Sequence, residues 1–497
     1  MWLRGFQLLP SRRYRLVALA SAGMVFWFLN QHLFFFAGDS HYVEHIDITG
    51  FYNDGDIGDL DCERIRQTGH VIAQRSIHLE DNITQIASTL ASHPMVHHTA
   101  NDNNNSSVYA TVDVSRWTQF AGSGTWLPEF NLYLVISRVV YTRPGSSWPT
   151  VSFLRGQLFD ENWNHLERHT IEWHGTRMSF PRFGPEDPRV VIEERVPGAE
   201  PIIIFNMISD DTGNSRAMWI HKPFSYFTTP LTILGEERKP VEKNWAPFFH
   251  TTRSAGSEIE PSEDLHFVYS LWPLQVLRCR IDNGSCDWVF KQDVPEPLVK
   301  WHEDTRGEMR GGTNFVPVPM LEHSGVQMYI GLPRTHLTFC KSGATYRPEI
   351  TVLSGFQSSF HIAYASVATE FGHSLLHQDR LDNPCPEGNI LIPSSIARWV
   401  HNSAEDIMTV SFSIADTDIR ILRLHGMWSF IRGLSYHSRF LAYDNPQRDD
   451  TFRNFPWSVV GDEVIACSVE AAANASRRDS IRTEMRELSQ VLQALID

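Results

Sequence analysis

The sequence lacks the motifs of several common enzyme and binding classes. It has six cysteines in 497 residues and no CxxC pair, which disfavours a zinc ribbon. It has no HExxH motif, no GxSxG nucleophile elbow and no P-loop with glycine-lysine-Ser/Thr. It has no basic excess, since 43 basic against 58 acidic residues give a net charge of −15. A nucleic-acid-binding protein would instead carry a basic stripe. The hydrophobic content of 42% permits a sizeable core and excludes wholesale disorder.

Long apolar runs are also scarce, and the single one lies near the N-terminus. Residues 16–36 form an apolar stretch of about the length that crosses a bilayer core. Residues 1–15 carry four arginines and no acidic residue, which places this tail in the cytosol. We therefore predict a single-pass type II protein of the Golgi or secretory-pathway membrane, with a signal anchor and a lumenal body. A signal peptide, cleaved or uncleaved, is the alternative.

The even number of cysteines agrees with an oxidising lumen. Cys279 and Cys286 bracket the sequence Asp282-Asn283-Gly284, which is a hairpin turn signal. A disulfide across that hairpin is geometrically reasonable, and the other pairings stay open.

Short apolar runs separated by turn residues dominate residues 110–475. This pattern predicts many short strands in a sandwich, barrel or propeller. The length of this region without a clear linker favours a propeller. Residues 37–109 are predicted to be a stem and N-terminal extension, irregular over 39–75 and helical over 76–95. Residues 476–497 have the spacing of an amphipathic C-terminal helix, which packs on the body or forms a dimer seam.

The strongest candidate for chemistry is the segment Gly184 to Arg189, which reads GPEDPR and leads into a strand. Successive strand residues point to opposite faces. Only one of Glu186 and Asp187 can therefore face a pocket, while the other braces Arg189. The alternative is a turn with a structural salt bridge.

Further polar candidates follow along the chain: Asn206, Arg216, Trp219, Lys243, Asn244, Trp245, Arg310, Asn314, Arg334, His336, Tyr346 and Arg347. Gly311 and Gly312 let the backbone approach a ligand, and the arginine beside them suits a phosphate. Tight turns and a surface loop with a buried tryptophan are the alternatives. The pair Asp416 and Asp418 resembles a metal-binding acid pair of some nucleotide-sugar transferases. Because it lies in an alternating strand pattern, we interpret it as a solvated strand face and assign no metal ligand.

In their order, these segments resemble the fungal β-mannosyltransferases, which add β-1,2-linked mannose to cell-wall mannan. The matching stretches are Gly184 to Arg189, Glu242 to Phe248, Leu265 to Leu274, Arg310 to Phe315, Pro333 to His336 and Tyr346 to Pro348. The likeness covers roughly residues 110–470. A more distant similarity runs to the β-mannoside phosphorylases, which are five-bladed propellers with the turn's acid at the reaction centre. The resemblance implies a mainly β, five-bladed propeller-like lumenal domain with Asp187 near the chemistry.

The resemblance also implies a reaction. The donor is GDP-mannose, whose α-linked diphosphate leaves with inversion when an α-mannoside of mannan or a glycan attacks. Asp187 is predicted as the base that takes the acceptor proton, with Glu186 as its neighbour. Cations are predicted to hold the diphosphate. The predicted donor or substrate contacts are Arg189, Arg216, Lys243, Asn244, Trp245, Tyr269, Arg310, Asn314, Arg334 and His336, with Trp245 and Tyr269 stacking on a mannose ring. No cofactor is required in this interpretation, and metal dependence stays open.

Two rival functions remain. One is a β-mannoside phosphorylase or glycosidase, and the other is a non-catalytic carbohydrate-binding propeller. The acceptor, the linkage position and the oligomeric state stay open at this point.

Overall fold

The structure is a computed structural model. It describes residues 43–52, 61–94, 96, 112–166, 184–250, 260–293, 308–319, 326–340, 343–372, 375, 390–402, 404–435, 464–474 and 485. The predicted anchor over 16–36 lies outside these ranges, as does the predicted C-terminal helix apart from Met485. Among the helices of the described residues, none combines the length and apolarity needed to cross a bilayer.

Strands dominate the described chain, as predicted. The strands are β1 (Val43–Tyr52), β2 (Arg66–Gln74), β3 (Ile77–His78), β4 (Trp117–Leu127), β5 (Leu132–Tyr141), β6 (Val151–Phe159), β7 (Glu186–Val191), β8 (Ile202–Ile208), β9 (Arg216–Lys222), β10 (Phe227–Pro230), β11 (Thr232–Ile233), β12 (Ala246–Phe248), β13 (Asp264–Leu271), β14 (Leu274–Arg280), β15 (Ser285–Lys291), β16 (Glu308–Arg310), β17 (Val316–Pro317), β18 (Gln327–Gly331), β19 (Arg334–Cys340), β20 (Gly343–Pro348), β21 (Thr351–Phe356), β22 (Ser359–Ser366), β23 (Leu391–His401), β24 (Asp406–Ile414) and β25 (Asp418–His425). The α-helical segments are α1 (Ile83–Leu90), α2 (Met427–Ser435) and α3 (residues 464–474), and short 3-10 turns cover Val114–Arg116 and Asp210–Thr212.

From β4 onward the strands form five groups in chain order. Group 1 is β4–β6, group 2 is β7–β10, group 3 is β11–β15, group 4 is β16–β22 and group 5 is β23–β25. Most neighbours along the chain pair antiparallel. In group 4 the strands β17, β18, β21 and β22 pair with one another, and the hairpin β19–β20, which connects β18 to β21 along the chain, forms a separate three-stranded sheet with β16. The hairpin β1–β2 joins groups 4 and 5 into one sheet, because β1 pairs with β22 and β2 pairs with β25.

The described residues have no single central core; each group shares a buried cluster with the next. The clusters, in order around the groups, contain Leu134 with Phe205, Ile204 with Leu277, Val276 with Leu353, Val352 with Val410, and Val135 with Ile421. The last cluster joins group 5 back to group 1, so the groups close a ring. Burying one such side chain contributes about 1.5–3 kcal/mol. Packing of group 5 on group 1 therefore stabilises the ring, because an open arrangement would expose the apolar faces of the first and last groups to water.

The stretch 39–75, predicted to be an irregular stem, instead supplies β1 and β2. Its Asp- and Gly-rich composition hides the strand signal, yet Ile46 and Ile48 are buried in the core. Gly50 is required here because a Cβ would lie 2.6 Å from the carbonyl oxygen of Ala365 on the paired strand. These strands form because they pair with strands far along the chain, and the local sequence does not predict such pairing.

Two disulfides tie the described chain. One joins Cys279 to Cys286 across the β14–β15 hairpin, the pair expected from the turn signal. The other joins Cys62 to Cys467, which are 405 residues apart. It attaches the segment between β1 and β2 to α3.

The helix predicted over 76–95 is present but shorter. It spans Ile83–Leu90, and its N-cap is Asn82, whose side chain accepts a hydrogen bond from the Gln85 backbone at 3.0 Å. Asp81, expected near the start, pairs with Arg155 of β6 instead.

Candidate active site

A cavity of about 620 Å³ lies where the five groups meet. Every group contributes to its wall: β4 and β5, β7, the segment before β12, β16 with β19 and β20, and β23 with β24. The charged side chains of the wall are Arg138, Asp187, Arg189, Lys243, Arg310, Arg334 and Asp416. Seven residues of the predicted site are thereby brought together from distant parts of the chain: Asp187, Arg189, Lys243, Asn244, Arg310, Arg334 and His336.

Asp187 reaches the cavity through a break in the pleat of β7. The pairing with β8 changes register between Glu186 and Arg189, and Asp187 adopts a left-handed backbone with φ of 51°. Pro188 is tolerated there because the bulge does not require a ladder hydrogen bond from its position, where proline has no N–H to donate. A bulge of this kind re-aims a side chain, and here it presents the Asp187 carboxylate to the cavity, with 39% of the side chain exposed.

Backbone strain concentrates around this cavity. Of the eleven non-glycine residues with left-handed φ in the described chain, four line it: Ala121, Asp187, Asn244 and Asp416. Each such residue costs roughly 1–3 kcal/mol and persists only where the surroundings impose it. Clustering of this strain at one cavity is typical of a functional site.

Of the two carboxylates, Asp187 lines the cavity and Glu186 does not, but Glu186 does not brace Arg189. Its carboxylate lies 3.2 Å from Arg138 Nη2 and 2.9 Å from Arg216 Nη1. Arg216 also donates to Asn206 Oδ1. Glu186 and Arg216 therefore do not line the cavity, and Glu186 pairs with Arg138, the arginine that also faces Asp187.

Arg189 is held by main-chain carbonyls. Its Nε donates to the Gly312 carbonyl oxygen at 2.6 Å, and its Nη1 donates to the Pro188 carbonyl oxygen at 2.8 Å. The glycine is needed, since φ at Gly312 is 102° and a Cβ would lie 2.0 Å from the Leu332 carbonyl oxygen. The double glycine thus lets the chain after β16 pass close to Arg189 and to Leu332 at the cavity wall.

Arg334 is a buried cation with unused donors. Its side chain stands over the Tyr346 ring, 5.4 Å from guanidinium carbon to ring centroid, and its Nη2 donates to Asn244 Oδ1 at 3.1 Å. Its Nε and Nη1 have no hydrogen-bond partner in the described part of the chain. Unpaired buried donors are costly, so this guanidinium is available to an anionic ligand.

The wall carries five cations against two carboxylates, in a protein whose net charge is −15. Burial by itself raises the pKa of Asp187, but four cations outweigh this effect and the net shift is downward: Arg138, Arg189, Arg334 and Lys243. Burial and the nearby Arg334 lower the pKa of Arg189 to about 10. The cavity therefore favours an anion, and Asp187 stays ionised.

The interpretation of Asp416 and Asp418 as one solvated face is wrong. Asp418 lies on β25 and pairs with His78 Nε2 at 2.6 Å and with Arg420 Nε at 2.8 Å. Asp416 lies in the turn between β24 and β25 and lines the cavity. Burial raises the pKa of Asp416, and the charge of Asp187 raises it further. Alternation along the strands did not reveal the turn that separates the two carboxylates.

Besides Arg216, three predicted ligand contacts lie outside the cavity wall. Trp245 is only 3% exposed and packs against Phe267 and Tyr269 in the cluster between groups 2 and 3. Tyr269 donates to Glu242 and accepts from Lys239. Asn314 is buried and bonds the backbone of Ile396, so it ties group 4 to group 5. Buried packing and backbone bonding, rather than ligand contact, account for these side chains in the structure.

Arg138 and Trp148 are the largest polar and aromatic contributors among the cavity residues that the sequence analysis missed. Arg138 lies in the middle of the apolar strand β5, and a charged residue in such a run is a signal that was available. Trp148, on the loop between β5 and β6, lines the cavity and is 76% exposed. No local pattern distinguishes it from the buried tryptophans. Among the described residues, no three His, Cys, Asp or Glu side chains converge as a metal site would require.

Comparison with known proteins covers most of the chain. The family model for Beta-mannosyltransferases matches residues 61–181 and 221–474. β-Mannosyltransferase 2 of Komagataella phaffii is 30% identical over 67% of this chain and 54% of its own length. β-Mannosyltransferase 3 of Candida albicans is 31% identical over 66% of this chain and 62% of its own length. The chain thus spans little more than half the length of these curated relatives. For β-mannosyltransferase 4 of Komagataella phaffii, identity is 30% and coverage is 78% of both chains.

Solved structures with a similar arrangement are remote in sequence. The β-1,2-mannobiose phosphorylase of Listeria innocua is 12% identical, with a TM-score of 0.38 over 65% of this chain and 92% of that one. A GDP-Man-dependent mannosyltransferase of Leishmania mexicana is 12% identical, with a TM-score of 0.36 over 63% of this chain and 87% of that one. The family match and the curated relatives confirm the resemblance drawn from the sequence motifs.

Proposed function

This chain belongs to the β-mannosyltransferase family, and on that premise we propose that it transfers mannose from GDP-mannose to an α-mannoside with inversion. The expected product is a β-mannoside, with a β-1,2 linkage as the first to test. The acceptor class is the mannan or mannosylated glycan of a fungal cell wall.

One observation carries this proposal: a cavity in a strongly acidic protein gathers five cations around one strained, ionised aspartate. A departing diphosphate develops negative charge, which preorganised cations stabilise. The donors of Arg334 and the side chains of Lys243 and Arg310 are placed to meet it. The opposite charge develops on the anomeric carbon, which becomes oxocarbenium-like.

The environment of Asp187 refines its predicted role as base. A carboxylate whose pKa four cations lower is a weak proton acceptor at neutral pH. Its lasting negative charge is suited to stabilise the positive anomeric carbon as the bond to diphosphate breaks. We assign Asp187 to that task, and Glu186 to holding Arg138 and Arg216 beneath it.

We further infer that the five groups are the blades of a propeller, since each packs on the next and the last packs on the first. The two disulfides support an oxidising compartment. With an anchor over 16–36, that compartment is the lumen of the Golgi or secretory pathway.

The test is a product assay with the 497-residue chain in detergent. GDP-mannose and α-mannooligosaccharides are supplied with and without EDTA, and product mass and anomeric configuration are read by mass spectrometry and NMR. One added β-linked hexose is the expected result, and survival in EDTA would show that no exchangeable metal is needed. Release of mannose 1-phosphate from a β-mannoside plus inorganic phosphate, with no use of GDP-mannose, would replace the proposal by a phosphorylase.

A further inference from the structure

The cavity has two chemically different halves. Groups 2, 3 and 4 supply Arg189, Lys243, Arg310 and Arg334. Apart from Arg138, which pairs with Glu186 and faces Asp187, groups 1 and 5 supply hydroxyls, aromatic rings and one carboxylate. The hydroxyls are those of Thr118, Thr142, Ser394, Ser413 and Thr417. A diphosphate belongs in the cationic half, so the other half is available to an uncharged ligand.

Trp148 forms the rim of this second half. Trp148 is 76% exposed, and its backbone makes two hydrogen bonds to Ser146 of the same loop. The Ser146 hydroxyl donates to the Trp148 carbonyl oxygen at 2.8 Å, the Trp148 N–H donates to the same hydroxyl at 3.2 Å, and Pro149 follows. An exposed aromatic ring at a cavity wall is suited to stack on the C–H face of a sugar.

Two polar groups in this half make no hydrogen bond with the described residues. Ser394 is completely buried, and its hydroxyl has no hydrogen-bond partner in the described chain. A buried hydroxyl left unpaired is costly, so a ligand group is expected to complete it. The Asp416 carboxylate likewise makes no hydrogen bond or ion pair with the described residues, and a left-handed turn at Ala415 and Asp416 aims it into the cavity.

We propose that this half is the acceptor subsite, in which an uncharged mannoside stacks on Trp148 and presents its attacking hydroxyl to Asp416. The subsite rests on the proposed function. As the acceptor oxygen bonds to the anomeric carbon, the bond from that carbon to the diphosphate breaks and its electron pair leaves with the diphosphate. The hydroxyl proton passes to the Asp416 carboxylate.

The surroundings of Asp416 support this division of roles. The charged groups that act on it are Asp187 of β7, Arg138 of β5 and Arg334 of β19. The other titratable residues of the wall are Arg189, Lys243, Arg310, His336 and Tyr346. Burial and the Asp187 charge raise the pKa of Asp416, whereas the cations lower that of Asp187. Asp416 is therefore the stronger proton acceptor of the two.

The first test separates acceptor binding from donor binding. Trp148→Ala should raise the acceptor KM about tenfold or more and leave the donor KM unchanged. Tyr226→Ala is the matched control, because Tyr226 is 78% exposed on the β9–β10 turn and does not line the cavity. An unchanged acceptor KM in Trp148→Ala would overturn the subsite.

The second test addresses the proton. Asp416→Asn should lower kcat about a hundredfold or more with little change in donor KM, and should remove the acidic limb of the pH–rate profile. Asp416→Glu should restore part of the rate and the acidic limb. A wild-type pH profile in Asp416→Asn would exclude Asp416 as the proton acceptor.

Direct binding distinguishes failure of the subsite from failure of the transferase proposal. NMR saturation transfer measures contact of α-mannotriose with the wild-type chain and with Trp148→Ala, without donor. If the wild type transfers nothing but its sugar contact is lost in Trp148→Ala, the subsite stands and the transferase proposal fails. Equal sugar contact in both chains would remove the subsite whatever the activity.

Discussion

Replacing Asp187 by asparagine tests the electrostatic account of the cavity most directly. The change keeps the shape of the side chain and removes its charge. The Asp187 carboxylate lies 3.8 Å from Arg138 Nη1. At an effective dielectric constant of about 20, a unit charge at that distance interacts by about 4 kcal/mol. An anomeric carbon with developing positive charge, bound at a similar distance, would lose stabilisation of the same order.

A loss of about 4 kcal/mol from the transition state corresponds to a fall in kcat of about a thousandfold. We expect this loss at saturating donor and acceptor. The denaturation midpoint should fall by only a few degrees, because the partly exposed carboxylate is screened by water in the cavity.

The matched control is Asp210→Asn. Asp210 is exposed on the loop between β8 and β9, in the same strand group, and does not line the cavity. Its initial rate should equal that of the wild type. A rate for Asp187→Asn within tenfold of the wild type, with the fold intact, would refute the role given to the Asp187 charge.

Three further predictions concern the donor site and stability. Arg334→Met removes a buried cation with unused donors. We expect kcat over donor KM to fall about a hundredfold while the acceptor KM stays unchanged. A fall in kcat over donor KM of less than threefold would contradict this prediction. Joint replacement of Cys62 and Cys467 by alanine removes a disulfide that closes a loop of 405 residues. The chain-entropy model predicts that the free energy of unfolding falls by about 6 kcal/mol, and an unchanged urea midpoint would contradict this prediction. Burial lowers the pKa of His266 and His361 to about 3, whereas the pKa of an unfolded histidine is about 6.5. Between these values the unfolded chain binds more protons than the folded chain. The free energy of unfolding is therefore full above pH 6.5 and falls by about 4 kcal/mol for each histidine as the pH falls toward 3. Denaturation midpoints that stay level between pH 7 and pH 5 would show that these histidines are not buried neutral.

Elements whose signals are local agree with the sequence analysis. The runs Ile202 to Phe205 and Leu265 to Tyr269 are strands, as predicted. Alternating or continuous apolar residues bounded by turns are by themselves enough to predict a buried strand. The hairpin closed by Cys279 and Cys286 depends on a turn between adjacent strands. Strands that depend on pairing with residues far along the chain were missed. β1 and β2 are strands because they pair with β22 and β25.

The site divides in the same way. Residue type and motif order selected Asp187, Arg189, Lys243 and Arg334, because a charged side chain next to a strand end or a double glycine is a local signal. The choice between Trp148 and Trp245 was not available locally, since both are tryptophans in loops. One is 76% exposed at the cavity and the other is 3% exposed in the core. Burial is a property of the surrounding groups rather than of the residue.

By itself, the sequence determined the mainly β class, the family and most of the charged residues of the cavity. Periodicity and turn chemistry act over a few residues, and the order of the motifs is read directly along the chain, so none of these signals requires the folded structure. Only the tertiary structure decided that Glu186 supports and Asp187 faces the cavity, and that Asp416 joins it from more than two hundred residues away. Ring closure brings the five groups to one centre, and a side chain acquires its neighbours, its pKa and its role only when that centre has formed.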